Sequence, residues 1–117
     1  MNIEELREYC LSRKKAEECF PFDDVTLVFK VMNKMFALVP LDSDLQINLK
    51  CDTEKSIELR EKYPCVIPGY HMSKKHWNTI IIDGSIPDKL IRDWIDHSYD
   101  EVVKGLTKKD REKLKKQ

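Results

Sequence analysis

The sequence contains no apolar run long enough to span a bilayer, and no apolar leader-like stretch stands before its first cysteine. The expectation is a cytoplasmic protein with no membrane partner. It also lacks net charge, because 21 basic and 21 acidic residues cancel. That argues against a surface attracting nucleic acid or membrane over its whole extent. Cys10, Cys19, Cys51 and Cys65 form no C-x-x-C pair and no zinc-knuckle spacing. Reduced thiols in small hydrophobic sites are expected instead. There is no internal repeat and no helix-turn-helix pattern. No nucleophile is matched with a base and an orienting acid. The chain is therefore expected to be a non-enzyme, with no catalytic residue, no cofactor and no metal ligand set.

What is present is a chain of 117 residues, enough for one domain with a core of its own, and 36% of it is charged. The charge is unevenly spread. Lys104–Gln117 holds seven basic and two acidic residues, and Met1–Asp24 holds four basic and seven acidic. Any electrostatic function must be local.

Hydrophobic spacing predicts a first helix over Ile3–Arg13, capped by Asn2 with Glu5 as its capping-box partner and Ile3, Leu6 and Cys10 inward. Glu4, Glu5 and Glu8 suit its dipole, as do Arg13, Lys14 and Lys15 at its far end. Cys19-Phe20-Pro21-Phe22 is a short extended segment before a turn at Asp23-Asp24. Thr26–Met32, Met35–Leu41 and Leu45–Lys50 predict an antiparallel meander. A turn at Asn33-Lys34 would pair Val31 with Phe36. Leu27, Phe29, Val31, Phe36 and Leu38 would then share the core face, with Val28, Lys30, Met32, Met35 and Ala37 opposite. Joining Leu45, Ile47 and Leu49 to that core requires an even loop near Asp42-Ser43, or a bulge there.

A second helix is predicted from an Asp52 cap to Tyr63, with Ile57, Leu59 and Tyr63 inward. Ile67-Pro68-Gly69-Tyr70 has the pattern of a type II turn. Ser73 would cap one helical turn over Lys74, Lys75 and His76, and a strand follows over Trp77–Asp83. A third helix begins near Pro87 and stops at Gly105. Thr107 then caps a basic helix or tail. The order is α-β-β-β-α-β-α, an α+β class with helices on one face of an antiparallel sheet. Residues 1–106 form the domain and 107–117 the basic terminal helix or tail.

The densest chemistry lies between Gly69 and Thr79. Lys74, Lys75 and His76 there, with Lys30 and Lys50 on the outer sheet face, could neutralise phosphates. Asn78 and Asn48 could contact base edges. His71 and His76 are five apart and fit no helical ligand pair. Cys65 and His71 flank one turn, with nothing to activate the thiol. A continuous positive stripe through Lys50, Lys74, Lys75 and the tail would favour double-stranded DNA as partner. An exposed apolar strip around Val28, Met32 and Met35 would favour a protein partner or a chaperone-like adaptor. The chain itself is expected to be monomeric.

Several blocks resemble the MmcQ/YjbR family. They are Phe20-Pro21-Phe22, Thr26–Val31, Lys34–Leu38, Asn48–Asp52, Pro68–Met72, Lys74–Thr79 and Asp96-His97-Ser98-Tyr99. The resemblance covers nearly the whole chain. It implies a fold like that of frataxin and CyaY, a double-wing shape from which members are described as DNA-binding. Frataxin-like metal binding would use an acidic ridge, here Glu4, Glu5 and Glu8 with Arg7 among them. Met32-Asn33 departs from the glycines that many members carry in the first hairpin.

Overall fold

The computed structural model describes residues 1–69 and 72–116. Its order is α1 (Ile3–Leu11), β1 (Ala16–Cys19), β2 (Thr26–Val31), β3 (Lys34–Pro40), β4 (Gln46–Lys50), α2 (Thr53–Lys62), β5 (Val66–Pro68), β6 (Trp77–Ile81), α3 (Asp88–Lys104) and α4 (Lys108–Lys115). The strands form one sheet in the order β1-β2-β3-β4-β6-β5, with every neighbouring pair antiparallel. All four helices contribute to the same face, so the α+β class with one-sided helices holds.

Local chemistry places the helix ends. Asn2 accepts from the Glu5 amide while the Glu5 carboxylate accepts from the Asn2 amide, a complete capping box. Asp52 accepts from the Lys55 amide at the start of α2, and Thr107 from the Asp110 amide at the start of α4. Gly105 ends α3. α4 is anchored by Leu114, which is buried in the main core, and the Lys15 ammonium donates to the Lys113 carbonyl.

Two edge strands, β1 and β5, join the four predicted ones. β1 carries the charged pair Glu17-Glu18 and β5 ends in Pro68, so neither has the apolar alternation of an interior strand. β5 occupies part of the segment expected to be a turn. Tyr70 and His71, which complete that expectation, lie outside the described residues.

The first hairpin turns one residue earlier than expected. Val31 pairs with Lys34, and Met32 and Asn33 are the two turn residues, at φ of 48° and 66°. Two successive positive φ values suit the right-handed twist of a two-residue hairpin, whose usual occupants are glycine and asparagine. Met32 takes the first of them at a steric cost.

The register then corrects itself through a bulge. Phe29 faces Ala37 and Lys30 faces Met35, so Phe36 is the extra residue on β3. Phe36, Ala37 and Val39 therefore face the helices, while Leu38 joins Val28 on the opposite face. Leu38 and Ala37 thus exchange their predicted places. Ile47 and Leu49 reach the core through this bulge, not through an even loop, since five residues, 41–45, separate β3 from β4.

On α2 Ser56 is fully buried and Leu59 and Tyr63 pack against the core as expected, whereas Ile57 is 48% exposed. The core under the helices is dry and aromatic. Phe29, Phe36, Ile47, Ile80, Ile91 and Ile95 are essentially inaccessible to solvent. Tyr99 stacks edge-on against Phe36 at 5.3 Å, and Tyr63 against Trp94 at 5.2 Å.

One helix side chain acts as part of the sheet. Beyond the Ala37–Leu49 pair, β3 and β4 no longer pair directly. The Ser98 hydroxyl of α3 fills the gap: it donates to the Phe36 carbonyl at 2.6 Å and accepts from the Lys50 amide at 2.8 Å. Both backbone groups are satisfied where the bulge spreads the ladder.

Candidate nucleic-acid interface

Chain direction brings an excess of basic residues to one end of the sheet. The end of α1, the start of β1, the first hairpin, the end of β4, the loop before β6, the last turns of α3 and α4 all lie there. The segments 12–18, 30–36, 50–55, 73–77 and 100–116 carry sixteen basic and eight acidic residues. The remaining segments carry five basic and thirteen acidic residues. The zero net charge conceals a polarised molecule.

At the centre of that end, Lys50 pairs with Trp77 across β4–β6, and the Cys51 amide donates to the His76 carbonyl at 2.7 Å. The chain before β6 makes a tight turn, with the Ser73 carbonyl accepting from the amides of His76 and Trp77 at 3.1 and 2.9 Å. These two backbone bonds close it. Lys74, Lys75 and His76 are exposed on it. Arg60 of α2 clamps the turn from behind, donating through Nη2 to the Lys74 carbonyl and through Nε to Asn78 Oδ1 at 2.8 Å. Gly69 holds the other side. Its amide donates to the Trp77 carbonyl at 2.9 Å, and a Cβ at residue 69 would lie 3.1 Å from Trp77.

Lys50, Lys74, Lys75 and His76 are thus brought together. Lys30 is not part of the group. It lies on the same face but two strands away, about 10 Å at ordinary strand spacing, and opposite Glu17 in the β1–β2 register. Asn78 is a correction. It points under the helices, is 1% exposed, and donates to the Ser56 carbonyl while accepting from Arg60. A buried amide with these partners cannot reach a base edge. Trp77 is also buried, at 8% exposure, but on the open face with Val28 and Leu38.

The open face holds a groove where the sequence suggests an apolar strip, but of the three expected residues only Met35 lines it, since Val28 is fully buried and Met32 packs against the helix-face core. The groove has a volume of about 740 Å³ and is lined by Phe22, Met35, Leu38, Met72, Asn48 and Thr79 among others. The Thr79 hydroxyl donates to Asn48 Oδ1 on its floor. Phe22 at its rim is 63% exposed and Phe20 47%. Detecting it from sequence would have required the Leu38 register.

Neither Cys10 nor Cys51 is an activated thiol. Burial pushes the Cys10 thiol up to about 12, and burial with the nearby Asp52 pushes Cys51 up to about 11. All four cysteines are free. Around α1 the charged groups serve the structure: Glu5 completes the capping box, and Arg7 Nε donates to Glu18 at 2.7 Å. No helix among the described residues is long and apolar enough to cross a membrane.

Fold and site together define a small α+β domain: a six-stranded antiparallel sheet, helices on one face, a groove on the other and a basic end. The sequence model of the YjbR family matches residues 11–101, and the chain belongs to that family. It is 40% identical to the Uncharacterized protein YbdF of Escherichia coli O157:H7 over 104 residues, covering 86% of this chain and 83% of the relative. It is 34% identical to the Uncharacterized protein YjbR of Escherichia coli K12 over 115 residues, covering 97% and 98%. The crystal structure of Deinococcus radiodurans protein DR2400, a DUF419 domain, superposes with a TM-score of 0.89 at 42% identity, covering 97% of this chain and 87% of that one. A Pseudomonas syringae protein structure superposes at 0.70 with 27% identity, covering 84% and 96%.

Proposed function

We propose that this YjbR-family domain binds duplex DNA through its basic end, with Lys50, Lys74, Lys75 and His76 on the phosphate backbone. The observation that carries the reading is the excess of basic over acidic residues at one end of the sheet. A cationic end on a neutral molecule concentrates the potential where a polyanion can meet it. The exposed lysines stand on a turn clamped by Arg60 and Gly69, so little ordering is required on contact. With Asn78 buried, the contact falls predominantly to backbone and is weakly sequence-dependent. Fluorescence anisotropy with a labelled duplex across a salt series tests this. Wild type should bind at low salt with affinity falling steeply as salt rises. Lys74→Glu/Lys75→Glu should weaken binding at least about tenfold and lower the salt slope by about 2. Absence of salt-dependent binding, or equal binding by the double variant, defeats the reading.

The groove favours a second reading, in which an extended peptide segment of a protein partner lies against Phe22, Met35, Leu38 and Met72. A displayed peptide library selected on wild type but not on Phe22→Asp would support it. Identical selection on both would remove it.

A further inference from the structure

A second group of chemically useful side chains lies on the helix side of the β4–α2 junction. Cys51 follows β4 and is 5% exposed. Asp52 caps α2, and His97 projects from α3 towards both. One donor atom from each residue lies within 4.8 Å of the others. His97 Nε2 is buried and makes no hydrogen bond. It stands 3.4 Å from Asp52 Oδ2 and 3.7 Å from Glu101 Oε1, one helical turn further along α3. A cavity of about 10 Å³, bordered by Cys51, Lys55 and His97, adjoins them. That is room for about one water or one ion.

We propose that Cys51, Asp52 and His97, with Glu101 as fourth donor, form a site for a single divalent transition ion of the zinc class. Sulfur, nitrogen and two carboxylate oxygens make a mixed four-donor set, which such ions accept in tetrahedral geometry. The thiolate and imidazole disfavour magnesium and calcium, which take oxygen ligands. The carboxylate of Asp52 is already oriented: Oδ1 accepts from the Lys55 amide at 2.9 Å, leaving Oδ2 turned towards His97. His97 and Glu101 share one face of α3 at the i, i+4 spacing that lets two helical side chains meet one ion. Coordination also gives the buried Nε2 a partner, which the protein alone leaves without a hydrogen bond. Lys104, 3.4 Å from Glu101 and 74% exposed at its side chain, can turn outward into water as the ion enters. When the ion binds, the Cys51 proton passes to solvent and the sulfur lone pair forms the new bond, with no change of oxidation state.

Cobalt(II) titration of the full chain followed by absorption provides the test, because a cobalt–thiolate bond has a near-ultraviolet charge-transfer band. One equivalent should bring the band to saturation, and zinc should abolish it by displacement. Cys51→Ser should remove the band, and His97→Gln should weaken cobalt binding more than about tenfold. Cys19→Ser and His76→Gln should leave both unchanged. Thermal unfolding of each metal-free variant checks that it is folded, and Asp52→Asn, which keeps the helix cap, gives a further variant expected to bind more weakly. No band in wild type, a band persisting in Cys51→Ser, or unchanged affinity in His97→Gln overturns the proposal. The first of these outcomes leaves His97 as a histidine paired only with Asp52 and Glu101.

Discussion

The two faces of the sheet differ in who covers them. The helix face is closed by the chain itself, with Phe29, Phe36, Ile47 and Ile80 in one core with residues of the covering helices. The open face closes only around Val28, Leu38 and Trp77, with Met72 and Cys19 against them. The rest of it is a groove and a border of lysines. Stability therefore resides on the first face, and surface available to a partner on the second. Neighbouring residues of one strand, Phe29 and Val28, fall on opposite sides of that division.

Phe29→Ala should produce the largest loss, about 3–5 kcal/mol in denaturant unfolding, by leaving a cavity in the dry core. Val28→Ala, though equally buried, removes fewer atoms from a thinner cluster and should cost about 1–2 kcal/mol. Equal losses would break the comparison. Ser98→Ala deprives the Phe36 carbonyl and the Lys50 amide of their shared partner, at about 2–3 kcal/mol. Hydrogen exchange should quicken at Lys50 more than at Leu49 if the gap, not the whole strand, opens. Gly69→Ala drives a methyl group onto Trp77 and should cost about 1–2 kcal/mol. Unchanged stability would show that β5 can shift aside. Lys74→Glu/Lys75→Glu should alter stability by less than about 0.5 kcal/mol, as expected for exposed residues, while changing DNA affinity.

The smallest effect belongs to Arg7 and Glu18, a half-exposed pair between α1 and the edge strand. The hydrogen bond from Arg7 holds the Glu18 carboxyl below its usual range. Its stabilisation is thus present above the ordinary carboxylate pKa and fades as pH falls through the lowered one. Solvent screening keeps it small. Unfolding of wild type and Glu18→Gln should differ slightly at neutral pH and converge in strong acid.

Much of this architecture is legible in the sequence because its signals are local. The Asn2–Glu5 box, the Asp52 and Thr107 caps and the Gly105 stop each need only three or four residues. The illegible parts depend on distant partners. The Phe36 bulge is decided by what β2 and α3 require, and neither appears in the alternation of β3. β1 and β5 are held at the edges by backbone pairing and carry no apolar rhythm of their own. Asn78 reads as a solvent-facing residue because polarity suggests the surface, yet Ser56 and Arg60 satisfy it inside. Lys74, Lys75 and His76 were recognisable as a loop. That Cys51, Asp52 and His97 converge could not be seen, since the β4–α2 junction and the middle of α3 meet only in three dimensions.

The division of charge along the sheet has a consequence for behaviour in bulk solution. A neutral protein is expected to ignore a charged surface, but one with its cations gathered towards one end experiences a torque in its field. Approaching a polyanion, this molecule would turn its hairpin and terminal helix forward before any contact formed. On a chromatographic column at neutral pH it would be retained by a cation exchanger despite its zero net charge.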